Sequence, residues 1–470
     1  MYPLVMWSLA AAAVAASFAA AGHALLWKRD PRAALGWIVV SLTAPVVGPL
    51  LYFIFGINRI RTRAQRLQIS RAQPEGDAMP AMPRADLPSE FSELAGIAGA
   101  VSLFGMTGGN RIEVLQNGER AFPAMLEAID AATGHIFLST YIFETNRTGL
   151  DFVEALGRAV ARGVDTRVII DGVGERYSCP RVSRLLANRG VRVARFLPPR
   201  LIPPMLHINL RNHRKVLIAD GQVAFTGGMN IGDRHLAERL DNPDRVVDTH
   251  FRVQGPVVAQ LQQVFLDSWA FTTRHEREDV PADPIEAGTA LCRTIVEGPD
   301  EDLDKLLNVL LLAVSAAREQ VAIMTPYFVP PRELVGALKG AALRGVEVVV
   351  VVPGRNNLPF VHWASRNMMW ELLQRGVRIY LQPPPFVHTK LLMVDRHYVQ
   401  VGSANMDPRS LRLNFELVVE VNERPFAAVI DAHFEAARRK AREITLEEID
   451  NRTLPARTRD ALAWLLTRYL

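Results

Sequence analysis

The stretches HRKVLIAD, residues 213–220, and HTKLLMVD, residues 388–395, decide how this chain is read. Each opens on His-x-Lys, runs through apolar residues and closes on Asp. Packing has no use for the same polar pair twice, but a reaction that needs two imidazoles and two ammonium groups around one anion does. Side chains alternate faces along an extended strand, so His213 shares a face with Lys215, and His388 with Lys390. Asp220 and Asp395 fall on the other parity, beside Gly221 and Arg396-His397, where a residue fixes a turn. A second strand pattern follows each motif, QVAFTGGMN and YVQVGSAN. Each motif therefore reads as the first arm of a hairpin whose return carries Asn230 or Asn405 toward the His-Lys face. The small residues Gly227, Gly228, Gly402, Ser403 and Ala404 read as room for backbone amides to approach an oxyanion.

The surroundings of the two motifs also repeat. ALGRAVARGVDTRVIIDG ends at Gly172 and ALKGAALRGVEVVVVVPG at Gly354, each a helical pattern closed by Arg-Gly and followed by a β-branched run. STYIFE matches TPYFVP upstream, and NRGVRVARFLPP matches QRGVRIYLQPPP downstream. The expected fold is α/β, with two duplicated α/β/α halves related by a pseudo-two-fold axis. That axis would bring His213 and His388 to one site. The expected halves are residues 96–285 and 286–445.

Together the copies supply two imidazoles, two ammonium groups and two carboxamides. Lys215, Lys390, Asn230 and Asn405 are the donors that hold a phosphoryl group as charge builds on it. One imidazole attacks phosphorus; the other protonates the leaving alkoxide and later deprotonates an incoming alcohol. A nucleophilic imidazole needs its far nitrogen held by a carboxylate. Glu416 and Asp248, each before an apolar strand-like run, are the candidates, one for each histidine. No cofactor and no metal are expected. Cys179 and Cys292 are too few for a disulfide framework and read as small buried residues.

The chain of 470 residues is 49% apolar and 22% charged, which excludes wholesale disorder. Its net charge of +5 favours an anionic partner. Residues 1–60 read as a membrane anchor, with apolar helices at about 3–27 and 33–57, each about 37 Å long at roughly 1.5 Å per residue. Pro45, Gly48 and Pro49 leave a kink or a re-entrant hairpin open in the second run. Lys28, Arg29 and Arg32, diluted by Asp30, lie between the runs, and Arg59, Arg61, Arg63, Arg66 and Arg71 follow them. The larger excess after the second run places the catalytic body in the cytoplasm. Residues 61–95 are a Pro-rich linker. Residues 446–470 are a basic amphipathic segment, with Leu462, Leu465, Leu466 and Tyr469 at helical spacing. It reads either as lying on an anionic membrane surface or as a helix closing the body.

With its paired H-x-K-x4-D motifs the sequence resembles the phospholipase D superfamily, and within it the bacterial cardiolipin synthases. The closer likeness lies in RNHRKVLIADGQVAFTGGMNIGD, DTHFRVQGP, TPYFVP and HTKLLMVDRHYVQVGSANMDPRSLRLNFELVVEV. The resemblance implies two α/β/α halves around one site and transfer of a phosphatidyl group through a phosphohistidine. It implies a multi-pass protein of the bacterial inner membrane. Phosphatidylglycerol would be donor and acceptor, anionic lipid the surroundings, and nucleic acid no substrate. Carried over, the catalytic set is His213, Lys215, Asp220, His388, Lys390 and Asp395. Asn230, Asn405 and the two lysines bind phosphate, and Asp248 and Glu416 orient the histidines. His213 is the favoured nucleophile. Competing readings are a hydrolytic phospholipase D, a nuclease, and a non-catalytic lipid scaffold. The scaffold would have let one H-x-K pair erode, and neither has.

Overall fold

The computed structural model describes residues 2–28, 31–57, 102–199, 210–298 and 304–465, with isolated positions 96, 98, 99 and 467. Arg29, Asp30, the basic run Arg59–Arg71, the linker at 61–95, and Leu466, Arg468 and Tyr469 lie outside the described residues. The chain forms two compact units, an N-terminal anchor and a body that holds both motifs.

In the anchor, α1 (Tyr2–Trp27) is one unbroken apolar helix, and Leu4–Trp27 is long and apolar enough to cross a membrane. The second apolar run is not the single helix expected at about 33–57. It forms α2 (Pro31–Thr43), a break at Ala44–Val46, then α3 (Val47–Leu51) and a π-turn at Tyr52–Gly56. Pro45 has no N–H for a helix ladder, so the ladder fails there. Gly48 then packs so tightly that a Cβ on it would sit 2.3 Å from the Val40 carbonyl oxygen. No larger residue fits that bend.

The body is one 15-stranded sheet. Its strands are β1 (Thr107–Gln116), β2 (His135–Thr140), β3 (Asp165–Asp171), β4 (Arg192–Phe196), β5 (Val216–Ala219), β6 (Val223–Gly227) and β8 (Thr249–Gln254), then β9 (Ala290–Glu297), β10 (Gln320–Met324), β11 (Glu347–Pro353), β12 (Arg378–Gln382), β14 (Leu391–Val394), β15 (Tyr398–Gly402), β16 (Glu416–Asn422) and β17 (Arg442–Ile444). β7 (Val246–Val247) and β13 (Phe386–Val387) form a separate parallel pair. The order across the sheet is β17-β12-β11-β10-β14-β15-β16-β9-β1-β8-β6-β5-β2-β3-β4. It reads the same outward in both directions from the antiparallel β9–β1 seam, save for β17, as two copies related by a two-fold axis must.

Each half carries helices on both faces. In the first, Asn117–Ala131, Arg147–Ala161 and Val182–Asn188 cover the face that presents Ile136, Leu138, Val168 and Ile170. The alternate residue Phe137 turns to the other face, where it stacks on Phe265 of the helix Val257–Thr273 at 4.8 Å. In the second, Lys305–Ala316, Arg332–Leu343 and Pro359–Leu373 cover Val321, Ile323, Val348 and Val350. Burying such branched rows, worth roughly 1.5–3 kcal/mol per large side chain, holds the strands in register.

The last described helix, Leu454–Leu465, packs on Pro359–Leu373. Arg459 lies over the Trp363 ring at 4.7 Å, and Asp460 is fully buried between Arg452 and Arg459. It closes the body, with Leu462 and Leu465 left exposed. Cys292 is buried, but Cys179 is exposed in a loop, against the expectation for both.

Candidate active site

The ladders of β5 and β14 begin one residue after the lysines, so His-x-Lys forms an extended lead-in rather than part of the strand. What fixes it is the other half. His213 N–H donates to the Phe415 carbonyl at 2.9 Å, and Phe415 N–H to the Arg211 carbonyl at 2.9 Å. Symmetrically, His388 N–H donates to the Val247 carbonyl at 2.7 Å, beside the β7–β13 pair. Phe415 precedes Glu416 and Val247 precedes Asp248. Each backbone bridge therefore delivers a carboxylate from one half to the histidine of the other. His213 Nδ1 lies 3.0 Å from Glu416 Oε2, and His388 Nδ1 lies 2.8 Å from Asp248 Oδ2. Both expected acids stand within hydrogen-bond distance of a histidine Nδ1, and both pairs cross the seam.

Two further links tie the half-sites together. Thr249 and Thr389 hydroxyls meet at 3.3 Å, and Arg214 donates to the Glu416 carbonyl at 3.1 Å and the Glu297 carbonyl at 3.1 Å. Lys215 Nζ donates to the His213 carbonyl at 2.8 Å, Lys390 Nζ to the His388 carbonyl at 2.6 Å. Each ammonium is thus folded back over its own histidine.

Burial sets the electrostatics. It pushes Lys215 down to about 7 and Lys390 to about 8, against the pull of Glu416 and Asp248. Burial lowers His213, an effect that Glu416 opposes and Lys215 reinforces. His388 is held well below its ordinary value by burial and then by Lys390, Lys215 and His213. The carboxylates diverge. Burial would raise Glu416, but His213, Lys215 and the Ser403 hydroxyl outweigh it and keep the carboxyl below its usual range. For Asp248 burial wins, although Lys390 and His235 pull the other way.

Asn230 Oδ1 accepts the Ile142 N–H at 3.1 Å, which commits the oxygen and leaves the NH2 as the donor end of the carboxamide. Asn405 Nδ2 meets Ser410 Oγ at 3.2 Å while its Oδ1 is buried without a partner. Turning this carboxamide over keeps an acceptor for Ser410 and frees the NH2, as in Asn230.

Asp220 and Asp395, counted with the catalytic set, do not enter the site. Asp220 accepts backbone N–H groups of Thr133, Gly134 and His135 at 2.8–2.9 Å, and Asp395 those of Arg318, Glu319 and Gln320 at 2.8 Å. Each sits at positive φ in the hairpin turn and pins it to the start of β2 or β10. The small residues after β6 and β15 also differ from expectation. Ser403 N–H is taken by the Leu417 carbonyl at 2.9 Å, and a Cβ on Gly228 would lie 2.6 Å from both Asp248 oxygens. They make room for the carboxylates and the neighbouring strand, not for an oxyanion.

Four residues were not singled out from the sequence. Tyr141 stands edge-on to His213 with ring centres 5.5 Å apart, and Tyr327 to His388 at 6.2 Å. Their signal was present, since both occupy the same place in STYIFE and TPYFVP. Asn414 donates to Glu416 at 3.2 Å. His235, fully buried, accepts the Asn230 N–H at 3.2 Å, with its ring 6.5 Å from His388. Among the described residues no three His, Cys, Asp or Glu side chains cluster as metal ligands would.

A family model described as "Cardiolipin synthase, PLD-like domain" matches residues 125–269 and 310–438, one segment in each half. A second, "Phospholipase_D-nuclease N-terminal", matches residues 15–56. The chain is 33% identical to cardiolipin synthase A of Pseudomonas aeruginosa strain LESB58, over 92% of this chain and 89% of that one. It is 29% identical to cardiolipin synthase 1 of Bacillus anthracis, over 94% and 90%. Among solved structures, phosphatidylserine synthase of Haemophilus influenzae Rd KW20 shares the fold, with a TM-score of 0.60 and 15% identity over 76% of this chain and 95% of that one. With two intact H-x-K motifs at one buried site and this extent of similarity, the chain belongs to the cardiolipin synthase family of phospholipase D-like proteins.

Proposed function

We propose that the protein condenses two phosphatidylglycerol molecules to cardiolipin and glycerol through a phosphohistidine. The observation that carries this reading is the crossed pairing, in which two buried imidazoles, each held at Nδ1 by a carboxylate, share one site with two buried lysines. Nδ1 being engaged directs chemistry to Nε2 of each ring, with Lys390 Nζ 3.3 Å from Nε2 of His388. His213 is the nucleophile, because its partner Glu416 is the carboxyl held below its usual range, which favours the anion that makes the imidazole more basic. Its Nε2 attacks phosphorus of the first lipid. The bond to the headgroup oxygen breaks, and His388 gives that oxygen its proton as glycerol leaves. A headgroup hydroxyl of the second phosphatidylglycerol then attacks phosphorus, passing its proton to His388, and the His213–phosphorus bond breaks.

A phosphodiester anion entering between Lys215 and Lys390 offsets the positive charge that, with burial, holds His388 below its usual value. Bound substrate thus raises His388 toward the protonation state the first step needs. Lys215, Lys390, Asn230 and Asn405 hold the phosphate oxygens as charge builds. The halves are residues 96–285 and 286–445. The body works at the cytoplasmic face of a bacterial inner membrane, in anionic lipid and without nucleic acid.

Hydrolysis differs only in whether water reaches the phosphoenzyme. Purified protein supplied with labelled phosphatidylglycerol as sole lipid decides the matter. Cardiolipin and glycerol in equal amounts are expected; phosphatidic acid alone would make the protein a hydrolase.

A further inference from the structure

The anchor does not have the shape of two spanning helices. Three contacts locate the second apolar run along α1. The Pro45 carbonyl accepts the Ser17 hydroxyl at 3.1 Å, Tyr52 hydroxyl meets His23 Nδ1 at 2.7 Å, and the Gly56 carbonyl accepts Lys28 Nζ. As the run advances from 45 to 56, its partner on α1 advances from 17 to 28. A second span antiparallel to α1 would give the opposite order, with Gly56 near the N-terminus. Instead α2 descends along α1, the break at Ala44–Val46 reverses the chain, and α3 with its π-turn climbs back to the level where α2 began. Trp37 of α2 meets Tyr52 with ring centres 5.3 Å apart, so the two arms pack on each other. Ser17 to Lys28 is a rise of about 16 Å, half of a hydrocarbon core of ~30 Å.

We propose that residues 31–57 form a re-entrant helical hairpin, open toward the side of the body, and that α1 alone crosses the bilayer. This rests on the reading of residues 1–60 as a membrane anchor.

The charge pattern supports it independently. With two spans, Lys28, Arg29 and Arg32 lie across the membrane from Arg59, Arg61, Arg63, Arg66 and Arg71, and the basic residues compete over orientation. With a hairpin all eight fall on one side of the membrane. The positive-inside rule then acts on these eight residues in one direction. Backbone groups freed at the bend have protein partners, namely Ser17 on Pro45 and the Gly48 N–H on the Ala44 carbonyl at 2.7 Å. Such partners are what non-helical backbone needs at membrane depth.

The test is cysteine labelling with a membrane-impermeant thiol reagent, in intact and permeabilised cells. The body is reported by native Cys179, which is exposed, while Cys292 is buried. In a Cys179→Ser chain, Asp30→Cys and, separately, Pro31→Cys report the α1–α2 junction, and Tyr2→Cys reports the N-terminus. Asp30→Cys keeps every basic residue, so it stands if Pro31→Cys misfolds. The junction should label from the same side as Cys179, and Tyr2→Cys from the opposite side. A junction labelled from the side opposite Cys179 means two spans and overturns the hairpin. All positions labelled from one side means that α1 does not cross, which overturns it too. If the junction and Cys179 both label from outside intact cells and Tyr2→Cys does not, the hairpin stands and the cytoplasmic placement of the body falls.

Discussion

The half-site of His213 and the half-site of His388 share a backbone plan and differ in what surrounds the carboxylate. Glu416 takes hydrogen bonds from His213, from the Ser403 hydroxyl at 2.5 Å and from Asn414 at 3.2 Å. Asp248 takes one from His388 and one from the Thr249 N–H at 2.8 Å, and the position equivalent to Ser403 is Gly228. Where the first half has His235 the second has Ser410. One carboxyl is thus stabilised as an anion and the other is lifted by burial. A duplicated fold has diverged around its axis, so that one imidazole is more basic and the other is held neutral by its surroundings. That is the asymmetry a nucleophile and a proton carrier need.

The comparison breaks most sharply at the histidines themselves. His213→Ala and His388→Ala should each lower cardiolipin formation by roughly a thousandfold or more, since neither role has a substitute. They should part company on a phosphatidyl ester of p-nitrophenol, whose leaving group needs no proton. His388→Ala should still release nitrophenolate and accumulate phosphoprotein; His213→Ala should do neither. If phosphoprotein appears in His213→Ala and not in His388→Ala, the roles are reversed.

Neutralising the carboxylates comes next. Glu416→Gln should cost roughly 10³-fold in kcat, by analogy with carboxylates that hold a catalytic imidazole. Asp248→Asn should cost less, about 10–100-fold, because burial lifts that carboxyl and fewer hydrogen bonds favour its anion. Equal losses in the two variants, measured by single-turnover kinetics, would erase the proposed difference between the half-sites.

The lysines sharpen it through pH. Below their values of about 7 for Lys215 and about 8 for Lys390 the ammonium groups are charged, and above them they are neutral. In the free enzyme kcat/KM should therefore fall as pH rises from 7 to 9. kcat should fall less, since bound phosphate keeps the protons on.

A narrower change is Ser403→Gly, which makes the Glu416 side resemble the Asp248 side. Loss of one hydrogen bond to a charged group, about 1.5–3 kcal/mol, should lower kcat roughly 10- to 100-fold. Gly228→Ser cannot serve as the reciprocal swap, because its Cβ would strike the Asp248 carboxylate. On activity, Asp220→Asn should do less still. Its carboxylate ties the β5–β6 turn to three backbone N–H groups, so the melting temperature should drop while the folded fraction keeps its kcat.

The repeat itself was legible in the sequence, because H-x-K, the apolar strand cores and the Arg-Gly helix stops recur at matched places. The convergence of Lys215, Lys390, Asp248 and Glu416 on the histidines followed from it. What stayed hidden depends on contacts between segments far apart in the chain. Nothing local to Phe415 or Val247 says that its carbonyl will accept the N–H of a histidine in the other half. The purpose of Asp220 and Asp395 was visible only as parity, and the small residues were given an oxyanion because the approaching carboxylates could not be foreseen. In the second apolar run, Pro45 and Gly48 announced a bend, but composition does not say whether a bent segment continues across or turns back.

The crossed bridges also set a time at which activity can begin. His213 is translated 203 residues before Glu416, with the anchor well ahead of both. At ribosomal speeds of about 5–20 residues per second, the first half waits roughly 10–40 s for its carboxylate. A nascent chain can therefore sit among its lipid substrates with an incomplete catalyst, and it switches on only when nearly all of it has been made.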